Sequence, residues 1–474
     1  MPDDTFTSLL SHFTSWNDLA GKPAVVTYSF AADGPAGFAP FSAQQQASAR
    51  SALAAWDSIS GLSFVEVPDA PGGAGIDLRF RLEPMSSVAI LGQTDLAPDG
   101  DVALNIGIFR YDSLAPSATR IGYQTLLHEI GHGLGLAHPA ANTPGAAQNT
   151  IMVATLGQTM PVNTPLAWDR AAIQSLYGTQ EAETLHWSFD PSLGAVRGEG
   201  TAGNDVMTGT AYRDALFGGA GTDLLRGGAG NDLLTPGQGD DVVEGGAGFD
   251  ILALGVTRAA MRLNPAGAVE SAEGRDRFAD IEAVRSLDGT TYLTAPPGLD
   301  LLAGLYAAAL GRAPDAGGLA FWWHALQGGA TPGQIAQGFL ASVEFQAGPG
   351  LAARFLLRGE TPPAALDGDA LAGLASRTDT DALFSQGLWV PDSDGLLIAQ
   401  LYAVCLGRNP DPTGYQHWMA ACDDGLCEAA LAAGFLYSAE AAQHGPSRWD
   451  SPEALLAEAQ AGRWVHHGEG VVFA

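Results

Sequence analysis

Residues 218–235 read GGAGTDLLRGGAGNDLLT, two copies of a nine-residue unit placed end to end. The period extends without a gap in both directions, with units starting at Gly200, Gly209, Gly218, Gly227, Pro236 and Gly245. The sixth position of every unit is aspartate: Asp205, Asp214, Asp223, Asp232, Asp241 and Asp250. Positions seven and eight are mostly apolar, as in Leu224-Leu225, Leu233-Leu234 and Val242-Val243. Glycine permits the tight turn, aspartate supplies carboxylate oxygen, and the apolar residue fills the inside of a short strand. The six aspartates are therefore the expected calcium ligands. Tyr212 stands where the second unit should carry glycine, and the fifth unit begins with Pro236. Calcium sites touching those two units are expected to be weak or missing. A flexible Gly/Asp linker is the rival reading, and six units in strict register argue against it.

The rest of the composition agrees with a cation-binding protein. The chain has 474 residues, 22 Lys+Arg and 52 Asp+Glu, for a net charge of −30. At roughly 150 residues per domain this length suits about three domains. A hydrophobic fraction of 46% supports a sizeable core. The acidic balance argues against nucleic acid or an anionic membrane as partner. No apolar run reaches the ~20 residues of a membrane helix. The N-terminus, MPDDTFTSLLSHFTSWNDLAG, lacks the basic and apolar regions of a signal peptide. This leaves the cytoplasm, or an export route that does not read the N-terminus. The three cysteines, Cys405, Cys422 and Cys427, all lie late, so most of the chain has no disulfide framework.

Upstream of the repeat, strands are expected at 25–30, 63–67, 76–80, 88–91 and 102–106, from alternation and short β-branched runs. Helices are expected at 42–59, with Ser42 and Gln45 as a capping box, at 122–135, and at 165–177 with Asp169 in its first turn. Strands mixed with helices point to a sheet layered with helices. The middle helix carries HEIGHGLGLAH from His128. His128 and His132, four apart, share one helix face, and zinc accepts imidazole nitrogen at about 2.0–2.1 Å. Glu129 stands where its carboxylate can reach a water on the metal. Gly135 can end the helix in the left-handed conformation so that His138 returns as third ligand. Three ligands leave the open position of a catalytic zinc.

At these residues the sequence resembles the metzincin metallopeptidases. The resemblance implies a methionine turn under the metal, for which Met152 is the candidate, ahead of Met160. The stretches VVTYSF, FSAQQQASARSALAAWDSISGLSFVEV, GYQTLLHEIGHGLGLAHP and WDRAAIQSLYG resemble a serralysin over most of residues 25–178. One departure stands out. Serralysins carry a tyrosine two residues after that methionine, and here the position is Ala154; the short His138–Met152 spacing is nearer the matrixin pattern. The oxyanion donor is left open, and neither Tyr123 nor Tyr177 takes that role from sequence. The nonapeptides resemble the calcium-binding parallel β-roll of repeats-in-toxin proteins, which implies up to about four calcium ions between units n and n+2. Serralysins join such a roll to their protease.

Downstream, Ala295-Pro296-Pro297-Gly298 reads as a linker into an Ala/Leu-rich region. LYAAALGRAPDAGGLAFWW from Leu305 recurs as LYAVCLGRNPDPTGYQHWM from Leu401, and FLASVE from Phe339 recurs as FLYSAE from Phe435. Two copies of one helical module are expected, with Trp322 and Trp418 as core rather than as a binding surface. The motif resembles a helical repeat domain of unknown function found in secreted calcium-roll proteins.

The expected fold is multidomain: an α/β metzincin catalytic domain, a parallel β-roll, then an all-α C-terminal domain. The expected boundaries are an N-terminal segment and candidate pro-segment at 1–22, the protease at 23–190, the roll with flanking strands at 191–292, and the helical domain at 293–474. The expected activity is peptide-bond hydrolysis by a zinc-activated water, with His128, His132 and His138 on Zn2+, Glu129 as general base, Met152 in the turn and Ca2+ on the aspartate row. Partners follow: a protein or peptide substrate, a type I exporter reading the C-terminal Glu469–Ala474 ending, and a cell-surface or polysaccharide ligand for the helical domain. The expected location is extracellular or cell-surface. The alternative is a catalytically weak or inactive pseudoprotease acting as a cell-surface or extracellular binding protein, an adhesin, through its C-terminal helical domain; Ala154 keeps it open.

Overall fold

The computed structural model describes residues 9–10, 21–94, 100–116, 121–140, 143–154, 162–179, 185–296, 298–314, 319, 322–323, 325–326, 329–358, 360–391, 397–398, 401–406, 417–418, 421, 428–438, 451–452, 454–456, 464–467 and 470–473. Most of the candidate pro-segment, Cys422, Cys427 and Met160 lie outside these residues. The chain divides into two compact units, residues 1–219 with 224–232, and residues 220–223 with 233–474.

The first unit opens with strand β1 (Ala24–Phe30), helix α1 (Ala43–Asp57) and strand β2 (Leu62–Glu66). Ser42 caps α1 as the sequence implies. Its Oγ accepts from the Gln45 N–H at 3.3 Å, and Gln45 Oε1 accepts from the Ser42 N–H at 2.8 Å. The helix buries Gln45, Ala49, Ala52, Leu53 and Trp56, a stripe at helical spacing. Strands β3 (Leu78–Glu83), β4 (Gly92–Thr94) and β5 (Asp101–Asn105) complete a sheet of order β2-β1-β3-β5-β4. All its pairs are parallel except β4, which runs antiparallel to β5 at the edge. Helices α2 (Ile106–Phe109), α3 (Gly122–Gly133), α4 (Ala146–Asn149) and α5 (Ala167–Tyr177) follow. Trp56, fully buried, donates its ring N–H to the Leu127 carbonyl at 3.2 Å and so ties α1 to α3.

The strand expected at 88–91 is a turn, and the edge strand lies just after it. Ile90 N–H donates to the Ser87 carbonyl, and the Asn105 side-chain amide donates to the Ser87 and Ile90 carbonyls at 3.1 and 2.7 Å. With those carbonyls taken, Val88 stands 79% exposed and pairing starts only at Gly92.

The unit continues through β6 (His186–Asp190), β7 (Ala195–Glu199), β8 (Val206–Thr208), β9 (Asp214–Ala220) and β10 (Leu224–Ala229). Beyond the β6–β7 hairpin the pairing is parallel, β7 with β9 and β8 with β10, two repeat units apart. Tyr212, the departure from the glycine pattern, packs with Phe189 and Trp187 against a cluster of Val25, Val65, Val67, Ile76 and Val196. Its ring fills the step between the first sheet and the repeats, which explains why glycine is absent there.

In the second unit, β11 (Leu233–Gln238), β13 (Ile251–Ala253) and β17 (Ala283–Ser286) pair in parallel, and β12 (Val242–Ala247) pairs in parallel with β16 (Arg275–Ala279). Between them β14 (Arg262–Asn264) and β15 (Ala268–Glu270) form a hairpin on β16. Strand β18 (Gly289–Tyr292) turns back on β17. Helices Leu299–Leu305, Pro332–Ala341, Leu351–Leu357 and Gly368–Ala375 then surround a core of Leu302, Leu305, Ile335, Phe339 and Leu371.

The C-terminal region is not all-α. Strand β19 (Leu388–Pro391) adds antiparallel to β18, and a hairpin joins Trp464–His467 to Gly470–Phe473. Leu388-Trp389-Val390 suits a pleated, half-buried surface, and Pro391 is tolerated at an edge. The internal repeat is visible in three dimensions. Tyr306, Trp322 and Phe339 form an aromatic trio, with Trp322 stacked on Phe339 at 5.2 Å and Tyr306 edge-on at 5.0 Å. Tyr402, Trp418 and Phe435 repeat it at 4.9 and 4.8 Å. Both tryptophans are half-buried packing residues. A π-helical turn occupies Tyr306–Leu310 and again Tyr402–Leu406.

Candidate metal centre

Helix α3 presents His128 and His132 one turn apart and ends at Gly133. Gly135 adopts φ +95°. Its N–H donates to the His132 carbonyl and the Leu136 N–H to the Gly131 carbonyl, each at 2.9 Å, the hydrogen-bond pair of a Schellman turn. That turn swings His138 back toward the helix. The three Nε2 atoms converge, with His128 to His132 at 3.1 Å, His128 to His138 at 3.1 Å and His132 to His138 at 3.0 Å. Tetrahedral bonds of about 2.0–2.1 Å require nitrogens roughly 3.3 Å apart, so the triangle fits zinc with little adjustment.

The outer ring nitrogens fix the tautomers. His128 Nδ1 faces the Ile151 carbonyl and His132 Nδ1 the Leu136 carbonyl, both at 2.7 Å. Each Nδ1 donates, which leaves an Nε2 lone pair aimed at the shared point. Burial, with added repulsion from the neighbouring imidazoles, depresses His128 to about 3 and His132 to about 4. Burial lowers His138 as well. All three are therefore neutral, the form that binds metal.

Glu129, buried beside His128, has its carboxyl raised to about 7 by burial, against a hydrogen bond from the Thr94 hydroxyl at 2.9 Å. Thr94 sits on edge strand β4. Gly92 on the same strand is close enough that an added Cβ would lie 2.7 Å from Glu129 Cγ and Oε1. Met152 is fully buried, and an added Cβ at Gly131 would come within 2.6 Å of its sulfur, so Gly131 makes room for it. Asp169 secures the turn that holds Met152. It accepts from the Thr150 hydroxyl, from the Ile151 N–H at 3.0 Å and from the Leu166 N–H at 2.7 Å. Burial raises its carboxyl to about 6 despite those bonds. Through Ile151, one residue supports both the turn and the orientation of His128. The Tyr123 hydroxyl meets Ser51, and the Tyr177 hydroxyl donates to the Leu134 carbonyl. Ala154 is exposed.

Nothing in the sequence marks Thr94 or Gly92 for the site, and Asp169 reads there only as an acidic residue in a first helical turn.

The aspartate row is buried throughout. Asp205 and Asp214 take hydrogen bonds from the threonine four residues earlier: Thr201 N–H and hydroxyl at 2.6 and 2.9 Å, Thr210 N–H at 2.7 Å and hydroxyl at 3.1 Å. Farther along, Asp232 and Asp241 each bond two units back. Asp232 Oδ1 accepts from the Asp214 N–H at 2.9 Å, and Asp241 Oδ1 from the Asp223 N–H at 2.8 Å. Burial, then the neighbouring Asp232 charge, pushes the Asp214 carboxyl well up. Asp241 keeps its second oxygen buried without a hydrogen-bond partner. Carboxylate oxygens stacked in this way fit a hard, oxygen-seeking cation such as calcium.

Two family profiles match. The RTX calcium-binding nonapeptide repeat (4 copies) covers residues 199–234 and 235–255. A domain of unknown function (DUF4214) covers 299–348 and 390–444. Among curated proteins, Metallopeptidase AprA of Pseudomonas marginalis is 31% identical over 170 residues, 33% of this chain and 35% of its own. Serralysin A of Dickeya chrysanthemi is 29% identical over 207 residues, 36% of this chain and 43% of its own. Metalloprotease AprA of Pseudomonas entomophila (strain L48) is 26% identical over 218 residues, 38% of this chain and 44% of its own. The chain is serralysin-like. The matches span about 35–44% of those relatives' lengths. In this serralysin-like chain the nonapeptide match coincides with the aspartate row, and the unknown-function match falls on the two aromatic trios.

Proposed function

We propose that this protein is an extracellular, calcium-stabilised zinc metalloendopeptidase. The observation that carries the reading is the convergence of three neutral imidazole Nε2 atoms beside the buried carboxyl of Glu129. His128, His132 and His138 would hold zinc, which when bound supplies a Lewis acid that polarises a carbonyl and acidifies water. Glu129 accepts the proton of the attacking water and later delivers it to the leaving amine. Thr94 holds the Glu129 carboxylate from the edge strand. An extended peptide would add to that strand, which is the last of the sheet among the described residues. Met152 and Asp169 keep the floor of the site rigid. The aspartates from Asp205 to Asp250 would bind calcium, in keeping with a low-calcium interior and a millimolar-calcium exterior. Domain assignments follow: protease at 23–190, roll at 191–292, accessory domain at 293–474.

Glu129→Gln tests the reading directly. It removes the base and leaves every zinc ligand, so zinc content should equal wild type while hydrolysis of a denatured protein falls by about 10²–10⁴. His132→Ala should lose zinc as well. A Glu129→Gln protein that digests casein at the wild-type rate would remove Glu129 as the base, and a wild-type protein that holds zinc yet digests nothing would leave the adhesin reading.

A further inference from the structure

The sixth nonapeptide ends at residue 253 and the repeat match at residue 255. The stacking of turns does not stop there. Gly239 N–H donates to the Glu273 carbonyl at 2.8 Å, as Gly221 N–H donates to the Gln238 carbonyl at 2.8 Å one step earlier. Asp241 N–H donates to Asp276 Oδ1 at 3.2 Å, as Asp223 N–H donates to Asp241 Oδ1. Arg277 N–H donates to the Asp241 carbonyl at 2.9 Å, as Val242 N–H does to that of Asp223. Gly274 has φ +154°, beside +139° at Gly239. An added Cβ on Gly274 would lie 1.7 Å from the Gly239 carbonyl oxygen, and one on Gly239 1.6 Å from that of Gly221. Strand β16 then pairs with β12, Phe278 opposite Val243.

We infer that residues 271–279, SAEGRDRFA, are a seventh turn of the roll, and that the seam between this turn and residues 236–241 is a further calcium site with Asp276 as its carboxylate ligand. The inference rests on the reading of residues 200–253 as a calcium roll. Asp276 is 1% exposed. Its Oδ1 is taken by the Asp241 N–H, and its Oδ2 is buried without a hydrogen-bond partner, the condition also of Asp241 Oδ2 one step back. A buried carboxylate oxygen left this way is costly unless a cation or proton meets it. Burial, with the charges of Asp241, Glu273 and Asp240 behind it, holds the Asp276 carboxyl at about 7. Asp240 and Glu273 are tied in place, Asp240 by the Arg275 N–H at 2.9 Å and Glu273 by the Gly255 N–H at 3.0 Å. The donors are all oxygen, with no imidazole or thiolate, which selects calcium over zinc. Main-chain carbonyls of the glycine turns are the other donor class that calcium accepts. The turn is hidden in the sequence because Asp276 follows Asp241 by 35 residues where repeat partners stand 18 apart, the β14–β15 hairpin being inserted between. Its first two positions, Ser271 and Ala272, also lack the glycines of the motif.

Counting calcium per chain by mass spectrometry tests the site, on full-length protein gel-filtered in dilute calcium. Asp276→Asn keeps an oxygen for the Asp241 N–H and removes the anionic oxygen. Asp280→Asn makes the same charge change at an exposed position. Asp276→Asn should hold one calcium fewer than wild type, and Asp280→Asn the wild-type number. Equal content in Asp276→Asn and wild type overturns the seventh-turn site and leaves the roll. A wild-type protein without calcium overturns the roll itself. Should Asp276→Asn not fold, hydrogen exchange of the wild type decides. Residues 271–279 should gain protection over the same calcium range as 218–253. Protection in excess chelator, or none at saturating calcium, overturns the inference.

Discussion

Glu129 has room because Gly92 has no side chain. Gly92→Ala would place a methyl 2.7 Å from Glu129 Cγ and Oε1, so the carboxyl must swing off its position. The expected result is a fall in kcat of about 10–100-fold with zinc content unchanged, since a small displacement of a positioned group is costly. A variant with wild-type kcat would show that the carboxyl has somewhere else to go. The imidazoles support a second expectation. With His128 near 3 and His132 near 4, acid must reach those values before protons compete for the two Nε2 lone pairs. Zinc affinity should therefore fall between pH 7 and 5 by no more than the share of His138, itself lowered by burial, where three ordinary imidazoles near 6.5 would each cost well over tenfold. Chelator competition at the two pH values checks this, and a hundredfold loss would contradict it. The convergence of His128, His132 and His138 was legible in sequence because one helix and one glycine turn carry all three, so their spacing is their geometry. Thr94, Gly92 and Asp169 were not, because each reaches the site through a different element and only the sheet order brings them there.

At the level of elements, the roll is governed by backbone contact. Gly239, at φ +139° with the Gly221 carbonyl 1.6 Å from an added Cβ, cannot accept a side chain without parting two turns. Gly239→Ala should raise the calcium concentration at the folding midpoint at least tenfold, measured by circular dichroism of the whole chain. Gly72, with open space around it, should tolerate alanine at the cost of its left-handed backbone alone, about 1 kcal/mol. The repeat and its register could be read off the sequence because strands and turns there share one nine-residue period. The edge strand could not. Val88-Ala-Ile-Leu91 has the better β composition, yet the side-chain amide of Asn105 takes the Ile90 carbonyl and that of Ser87 just before the stretch, and pairing begins at Gly92. Strand β19 was hidden for a related reason. A short apolar stretch among Ala/Leu helices takes its conformation from the free edge of β18, some hundred residues earlier.

For the whole molecule, a net charge of −30 opposes compaction until cations are bound. Secondary structure should therefore rise with calcium in the millimolar range, and a spectrum unchanged by excess chelator would contradict the coupling. Export through a type I system reading the C-terminus would suit a chain that stays open at low calcium. Removal of the last ~50 residues should then leave the protein inside cells that carry the exporter, and equal amounts in the medium would place the signal elsewhere. The two ends of the aspartate row are also unlike. Asp205 and Asp214 receive threonine hydrogen bonds, whereas Asp241 and Asp276 each retain an oxygen that only a cation or proton can satisfy. Withdrawal of calcium should therefore leave the inner oxygens of Asp241 and Asp276 to protons, while Asp205 and Asp214 keep their threonine donors. Without the ion, acid becomes the substitute ligand, so mildly acidic solution should lower the penalty of chelation at Asp241 and Asp276.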